Sequence, residues 1–213
     1  DALDGAQAAA LPMPALTQNG RIRSERSAGI DVDAVAQSLT PGAVVFGGGL
    51  SRVRAALEAH ALRVFDYLDD EALTVANAVP SAEGALEIAI RELPITLCGS
   101  RCLVVGYGRI GKALSARLHA LHARVTVSAR KPADRAAIES AGLRADRTGS
   151  YLHDLAQYDC IFNTVPAPVL REEHLRTLRP DCLLIDLASG SGGLAENAPP
   201  ALHYIHALGL PGR

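Results

Sequence analysis

The sequence predicts an α/β protein built on parallel sheets. Short apolar runs alternate with helix-patterned runs along most of the 213 residues. That is the pattern of strands buried on both faces with helices between them. One run, Cys102 to Val105, is followed by Gly106, Gly108 and Gly111 at a G-x-G-x-x-G spacing and then by a helical pattern from Ile110 to His119. This makes the fold a Rossmann-like doubly wound parallel sheet. A helical stretch before it separates earlier strands from later ones, giving two α/β regions joined by a crossing helix. The expected boundaries are 1–78 for a partial N-terminal Rossmann-like domain, 79–94 for the crossing helix and 95–213 for an NAD(P)-binding Rossmann domain.

The elements follow in order. Ala8 to Leu11 reads as a strand stopped by Pro12-Met13-Pro14, and Gln18-Asn19-Gly20 as a turn. Asp33 to Leu39 reads as a short helix and Ala43 to Phe46 as a buried strand ending in Gly47-Gly48-Gly49. Ser51 to His60 reads as a helix with Ser51 at its N-cap, and Ala61 to Tyr67 as a further strand. These are too few strands for a whole domain, and the chain does not open with Met, so a first strand–helix–strand unit is expected before residue 1. The crossing helix opens at Pro80 or Ser81, carries Glu83 in its first turn and stops at Pro94. After the glycine loop come a strand (Ala123 to Ser128), a helix (Pro132 to Ala141) stopped by Gly142 and a short strand (Leu143 to Ala145). A helical turn (Leu152 to Gln157), a strand (Cys160 to Val165), a helix (Arg171 to Leu178) and the strands Cys182 to Leu187 and His203 to Leu208 complete the chain.

Composition narrows the function. Apolar residues make up 48% and charged residues 21%, as in globular proteins, and the net charge of −2 suits neither a nucleic-acid nor an acidic-membrane partner. No uninterrupted apolar run reaches the ~18 residues of a membrane span, and no signal peptide is recognisable. Cys98, Cys102, Cys160 and Cys182 lack zinc-like spacing. The last three lie in apolar runs and read as small core residues, which points to a reducing cytoplasm. No metal site is expected.

The glycine loop carries the most chemistry. Gly106 permits the turn out of the strand, Gly108 lets backbone approach a pyrophosphate, and Gly111 lets the helix pack close to the sheet. Phosphates then meet free N–H groups at the helix N-terminus. The bland alternative is a glycine turn in a domain that has lost its ligand. An NAD site would place an acidic residue ~20 residues after the first glycine, on the ribose 2′-hydroxyl. Here the chain reads Thr126-Val127-Ser128-Ala129-Arg130-Lys131, a hydroxyl and two cations suited to a 2′-phosphate. NADP(H) is therefore favoured over NAD(H), against the alternative that Arg130 and Lys131 are a solvated helix start.

Five motifs together resemble the dipicolinate synthase A subunits of spore-forming bacteria. They are Asn77-Ala-Val-Pro-Ser-Ala-Glu-Gly84, Gly106-Tyr-Gly-Arg-Ile-Gly111, Asn163-Thr-Val-Pro166, Asp186-Leu-Ala-Ser189 and Ala207-Leu-Gly-Leu-Pro-Gly212. The resemblance runs from about residue 61 onward and implies nicotinamide-linked oxidation of a dihydrodipicolinate-type precursor to dipicolinate. It also implies a small dicarboxylate substrate and a flavoprotein-like partner, the dipicolinate synthase B subunit. Homo-oligomerisation is left open. The resemblance implies a complete N-terminal Rossmann-like domain and a continuation past the Gly-Leu-Pro-Gly motif; on that expectation this sequence would begin inside the first, and it ends at Arg213. The D-2-hydroxyacid dehydrogenases are wider fold relatives, but Asp186-Leu187-Ala188-Ser189 lacks the Arg they carry after that strand. A non-catalytic nucleotide-binding regulatory protein is the third reading.

In open α/β sheets ligands lie beyond the C-terminal ends of the strands. On that rule the expected cofactor residues are Gly106, Tyr107, Gly108, Arg109, Ile110, Gly111, Ser128, Arg130, Lys131, Thr164, Val165, Pro166 and Ser189. The expected catalytic residues are Ser81, Glu83 and Asn163. Glu83 would accept a proton and the crossing-helix N-terminus would offer donors to a carboxylate. The alternative is that Ser81 and Glu83 merely cap the helix.

Overall fold

The computed structural model describes residues 3–189, 192–193 and 202–210, and the chain divides into two units, Asp1–Thr74 and Val75–Arg213. In the first unit, β1 (Ala6–Ala10), β2 (Leu39–Gly47) and β3 (Arg63–Asp66) pair in parallel in that order. The helices α1 (Val32–Ser38) and α2 (Arg54–Ala59) complete it. Val45, Leu57 and Val64 lie in its buried cluster, with Ala15 and Ile22 from the loop after β1. That loop forms antiparallel bridges from Leu16 to Ile22 and from Ile22 to Ile30, around the expected turn at Gly20.

Ser51 does not cap α2. The helix begins three residues later behind Val53, with no side-chain cap. Asp66, at the end of β3, instead accepts from the amides of Gly49 (2.9 Å), Leu50 (2.5 Å) and Leu68 (2.9 Å). The amides that a cap at Ser51 would take, those of Val53 and Arg54, donate to Leu50 O at 2.9 and 2.8 Å. Asp66 takes the Gly49 and Leu50 N–H groups that the glycine loop would otherwise offer to an anion.

The crossing helix starts neither at Pro80 nor at Ser81. As α3 it runs Glu71–Glu92, with Pro80 inside it. Asp70 supplies the start: its side chain accepts from Leu73 N at 3.1 Å and its carbonyl from Thr74 N. Proline forfeits the bond to the carbonyl of residue 76, but the apolar stripe Ala78, Ala82, Ala85 and Ala89 carries the helix through by burial.

The second unit then adds β4 (Arg101–Val105), α4 (Arg109–Ala120), β5 (Arg124–Ala129), α5 (Pro132–Ser140), β6 (Arg144–Arg147), β7 (Cys160–Asn163), α6 (Glu172–Leu175), β8 (Leu183–Asp186) and β9 (His203–His206). Two short 3₁₀ turns, Ser150–His153 and Leu155–Gln157, stand where one helical turn is expected. The six strands are all parallel in the order β6-β5-β4-β7-β8-β9. The order in which strands are added reverses at β4, whose neighbours β5 and β7 lie on opposite sides, and β4/β7 is the topological switch point at which such sheets bind ligands.

Strand alternation builds two layers. Cys102, Val104, Val125 and Val127 face one buried cluster with Ala82, Ala89 and Leu114. Leu103 and Val105 face the other, with Tyr151, Leu155 and Tyr158. Cys102, Cys160 and Cys182 are buried free thiols, pushed up in pKa chiefly by that burial, while Cys98 is exposed. Among the described residues no helix is long and apolar enough to cross a membrane.

Candidate functional site

The glycine loop lies at the switch point. Gly106 sits at φ +100°, and its amide donates to Ser128 O at 3.0 Å. A Cβ on Gly106 would fall 2.5 Å from Thr164 Oγ1 and 2.9 Å from a Val165 methyl. Thr164 is held there because its amide and hydroxyl both donate to Val105 O, at 3.0 and 2.9 Å. A Cβ on Gly111, already buried on α4, would run into the Gly106 carbonyl. Gly108 differs: it is the N-cap of α4, exposed, and a Cβ there would meet nothing within 4 Å. Two glycines are thus required by the protein's own packing, and the third faces open space at a helix N-terminus.

The neighbouring side chains have distinct placements. Tyr107 is half-buried, with Lys112 Nζ 5.4 Å from its ring centroid, a cation–π distance. Arg109 is exposed in the first turn of α4, and Ile110 packs against the core. At the end of β5, Arg130 and Lys131 are exposed. The backbone there is fastened by Arg135, which donates to the carbonyls of Ala129 and Arg130 at 3.3 and 2.9 Å. Ser128 is different from the expectation. It points into the layer beneath the sheet, is 1% exposed, and its hydroxyl has no hydrogen-bond partner. Its register partner on β6 is Asp146. Of the three residues expected for a 2′-phosphate, Arg130 and Lys131 are presented at this edge and Ser128 is not.

Beyond β7 and β8 the structure shows a buried polar latch. Asp186 is fully buried. It accepts from Asn163 Nδ2 (2.8 Å), Ala188 N (3.0 Å), Gly193 N (2.6 Å) and the Tyr204 hydroxyl (3.4 Å). Burial first, then the Asp186 carboxylate, pushes the Tyr204 hydroxyl up to about 12. Asn163 also donates to Val165 O and accepts from Val165 N, both at 3.1 Å. The Asn163 amide is thus engaged with Val165 and Asp186 within the protein. Gly193 lies over this amide, where a Cβ would collide with Asn163. His206, the register partner of Asp186 on β9, is half-buried, with Nε2 3.2 Å from Ala188 O and its ring stacked on Tyr204. The Asp186 motif and the glycine–serine run after it stand out in the sequence, but no spacing rule pairs Asn163 with Asp186 or brings Tyr204 and His206 to them. Pro166 and Ser189 are exposed beside this latch. Pro211 and Gly212 lie outside the described residues.

Among the described residues, no hydrogen bond or ion pair joins the crossing-helix residues Ser81 and Glu83 to Asn163. Ser81 is buried and donates to Asn77 O at 3.0 Å, one turn back along its own helix. Glu83 is exposed and pairs with Arg117 at 3.6 Å. Arg117 is eight residues past the start of α4, about 12 Å along the axis from the glycine loop. The sequence places Ser81 and Glu83 at a helix N-terminus; the structure puts them in mid-helix.

Comparison with known proteins agrees with this geometry. The family model described as "D-isomer specific 2-hydroxyacid dehydrogenase, NAD binding domain" matches residues 82–195, just over half of the chain. The dipicolinate synthase A subunit of Bacillus subtilis (strain 168) is 31% identical over 177 residues, which cover 79% of this chain and 58% of that protein. The chain thus spans less than two thirds of the length of this curated relative. The crystal structure of the dipicolinate synthase A subunit from Bacillus halodurans superposes with a TM-score of 0.87 at 24% identity, over 99% of this chain and 74% of that one. The corresponding crystal structure from Bacillus subtilis gives 0.82 at 27% identity, over 99% and 72%. The chain therefore belongs to the family of the D-isomer specific 2-hydroxyacid dehydrogenase NAD binding domain, and the relatives it resembles are dipicolinate synthase A subunits.

Proposed function

We propose that this protein is a nicotinamide-dependent oxidoreductase of the type formed by the dipicolinate synthase A subunits, using NADP(H) in preference to NAD(H). Its substrate is a dihydrodipicolinate-type dicarboxylate, its product dipicolinate, and its partner a flavoprotein-like B subunit, in the cytoplasm of a spore-forming cell. The observation that carries the reading is the open α4 N-terminus at Gly108, beside two glycines packed too tightly to be anything else. The residues present fit a dinucleotide: the α4 N-terminus at Gly108 for the pyrophosphate, and Arg130 with Lys131 for a 2′-phosphate.

Aromatising a dihydropyridine removes one hydride and one proton. The bound nicotinamide, when present, supplies the hydride acceptor. The chain supplies position and proton transfer. Thr164 and Val165 wall the glycine loop, and the Asn163–Asp186 latch holds the loops after β7 and β8. We assign the proton-accepting role to His206, not to Glu83. A ring that donates from Nε2 to Ala188 O keeps Nδ1 free to accept, whereas Glu83 is engaged with Arg117.

Calorimetry with NADP(H) and NAD(H) tests the cofactor assignment. NADP(H) is expected to bind more tightly, and Arg130→Ala to weaken it alone, by about 1.5–3 kcal/mol for a charged hydrogen bond. Equal affinities for the two cofactors would refute the preference. Dipicolinate formation, followed by ultraviolet absorbance with the partner protein, precursor and NADP+, tests the reaction. In that assay His206→Gln should lower kcat with cofactor affinity unchanged, while Glu83→Gln should leave kcat near normal. The reverse result restores Glu83 as the base.

A further inference from the structure

Three arginines converge at the edge of the six-stranded sheet opposite the glycine loop. Arg101 opens β4, Arg124 opens β5 and Arg144 opens β6. Arg101 and Arg124 are register partners, and so are Thr126 and Arg144. Side chains two residues apart on a strand share a face, and register partners in a parallel pair project together. All three guanidiniums therefore leave the same face of the sheet. With His119, Gln157 and Tyr158 they line a concavity of about 490 Å³. About 13 Å of β4 separates this edge from the glycine loop.

None of these three guanidinium groups makes a hydrogen bond or ion pair among the described residues. The carboxylate beside them, Asp159, is already engaged: it accepts from the Arg101 amide at 2.7 Å and from Arg179 at 2.6 Å. Asp146 shares the face but forms no ion pair with Arg144. Like charges on paired strand positions repel. Each guanidinium presents a planar fork that fits a carboxylate or phosphate with two parallel bonds. Three forks around one bounded hollow of small-molecule size suit a ligand with more than one anionic group.

We propose that this concavity binds a small organic polyanion carrying two or more phosphate or carboxylate groups, at a site separate from the glycine loop. Occupancy relieves the repulsion between Arg101 and Arg124 and ties together the first residues of three strands.

Inorganic pyrophosphate and citrate serve as probes, titrated by calorimetry at fixed ionic strength into the full chain and into Arg124→Ala, Arg124→Lys and Arg144→Gln. Binding at the glycine loop would survive all three substitutions, so only the difference from the parent chain counts. One or both probes should bind with 1:1 stoichiometry. Loss of either arginine should weaken binding about tenfold or more, with Arg124→Lys between the extremes. Pyrophosphate alone points to a phosphate ligand and citrate alone to a polycarboxylate; both outcomes support the site. Arg124→Lys and Arg144→Gln keep a polar side chain at an exposed position and carry the test if the alanine variant does not fold. Failure of both probes to bind, or affinities unchanged in the variants, overturns the proposal.

Discussion

Gly106, Gly108 and Gly111 look alike in the sequence, yet the structure predicts different fates for them. Gly108→Ala should fold normally and lose cofactor affinity, because its added methyl meets no protein atom but points where a pyrophosphate would lie. Gly106→Ala and Gly111→Ala should lose stability first. The former forces a left-handed φ and a clash with Thr164, and the latter drives a methyl into a backbone carbonyl. Thermal melting beside cofactor titration separates the two classes; a Gly108→Ala protein that binds cofactor like the parent would remove the pyrophosphate from this loop. Asn163 teaches the converse. Its place at a strand end was legible, but whether its amide faces a ligand or a buried carboxylate depends on Asp186, 23 residues away in sequence.

At the scale of the element, α3 shows how burial overrides a local stop signal. Proline in a helix interior costs about 3 kcal/mol relative to Ala, and from sequence it reads as a first-turn residue. The true start, Asp70 followed by Glu71, was written in the chain as an N-cap and a first-turn acid. Residues 71–79 have little amphipathic pattern of their own, so this start becomes legible only once the Ala78–Ala82–Ala85–Ala89 stripe is known to be buried. Pro80→Ala restores one N–H donor to the ladder and should raise the melting temperature, with a gain of up to about 3 kcal/mol. A lower melting temperature would mean that the helix path set by Pro80 is itself needed for packing. The pair between Glu83 on this helix and Arg117 on α4 is largely exposed to solvent, so its removal should cost less than about 1 kcal/mol.

At the scale of the whole molecule, the two units rest on separate buried clusters, and in the first a single carboxylate joins β3 to the loop after β2. Burial pushes the Asp66 carboxyl up, but the amides of Leu68, Gly49 and Leu50, with Arg54, hold it below its ordinary value near 3.8. A lowered folded-state value means that Asp66 stabilises the fold above pH 3.8 and that this contribution disappears as pH falls through the folded value. Asp66→Asn should cost about 1–3 kcal/mol at neutral pH and make the acid transition of the first unit shallower, measured by hydrogen exchange at Gly49, Leu50 and Leu68. Unchanged protection of those amides would show that the loop holds itself. The succession of strands and helices, the parallel α/β class and the glycine turn follow from periodicity and local chemistry, which neighbours in sequence decide, and the sequence by itself determined them. The partners of Asp66, Asn163, Ser128 and the three edge arginines join residues that are distant in the chain. Only the tertiary structure decided those, because strand register and the closeness of packed layers set which polar groups meet.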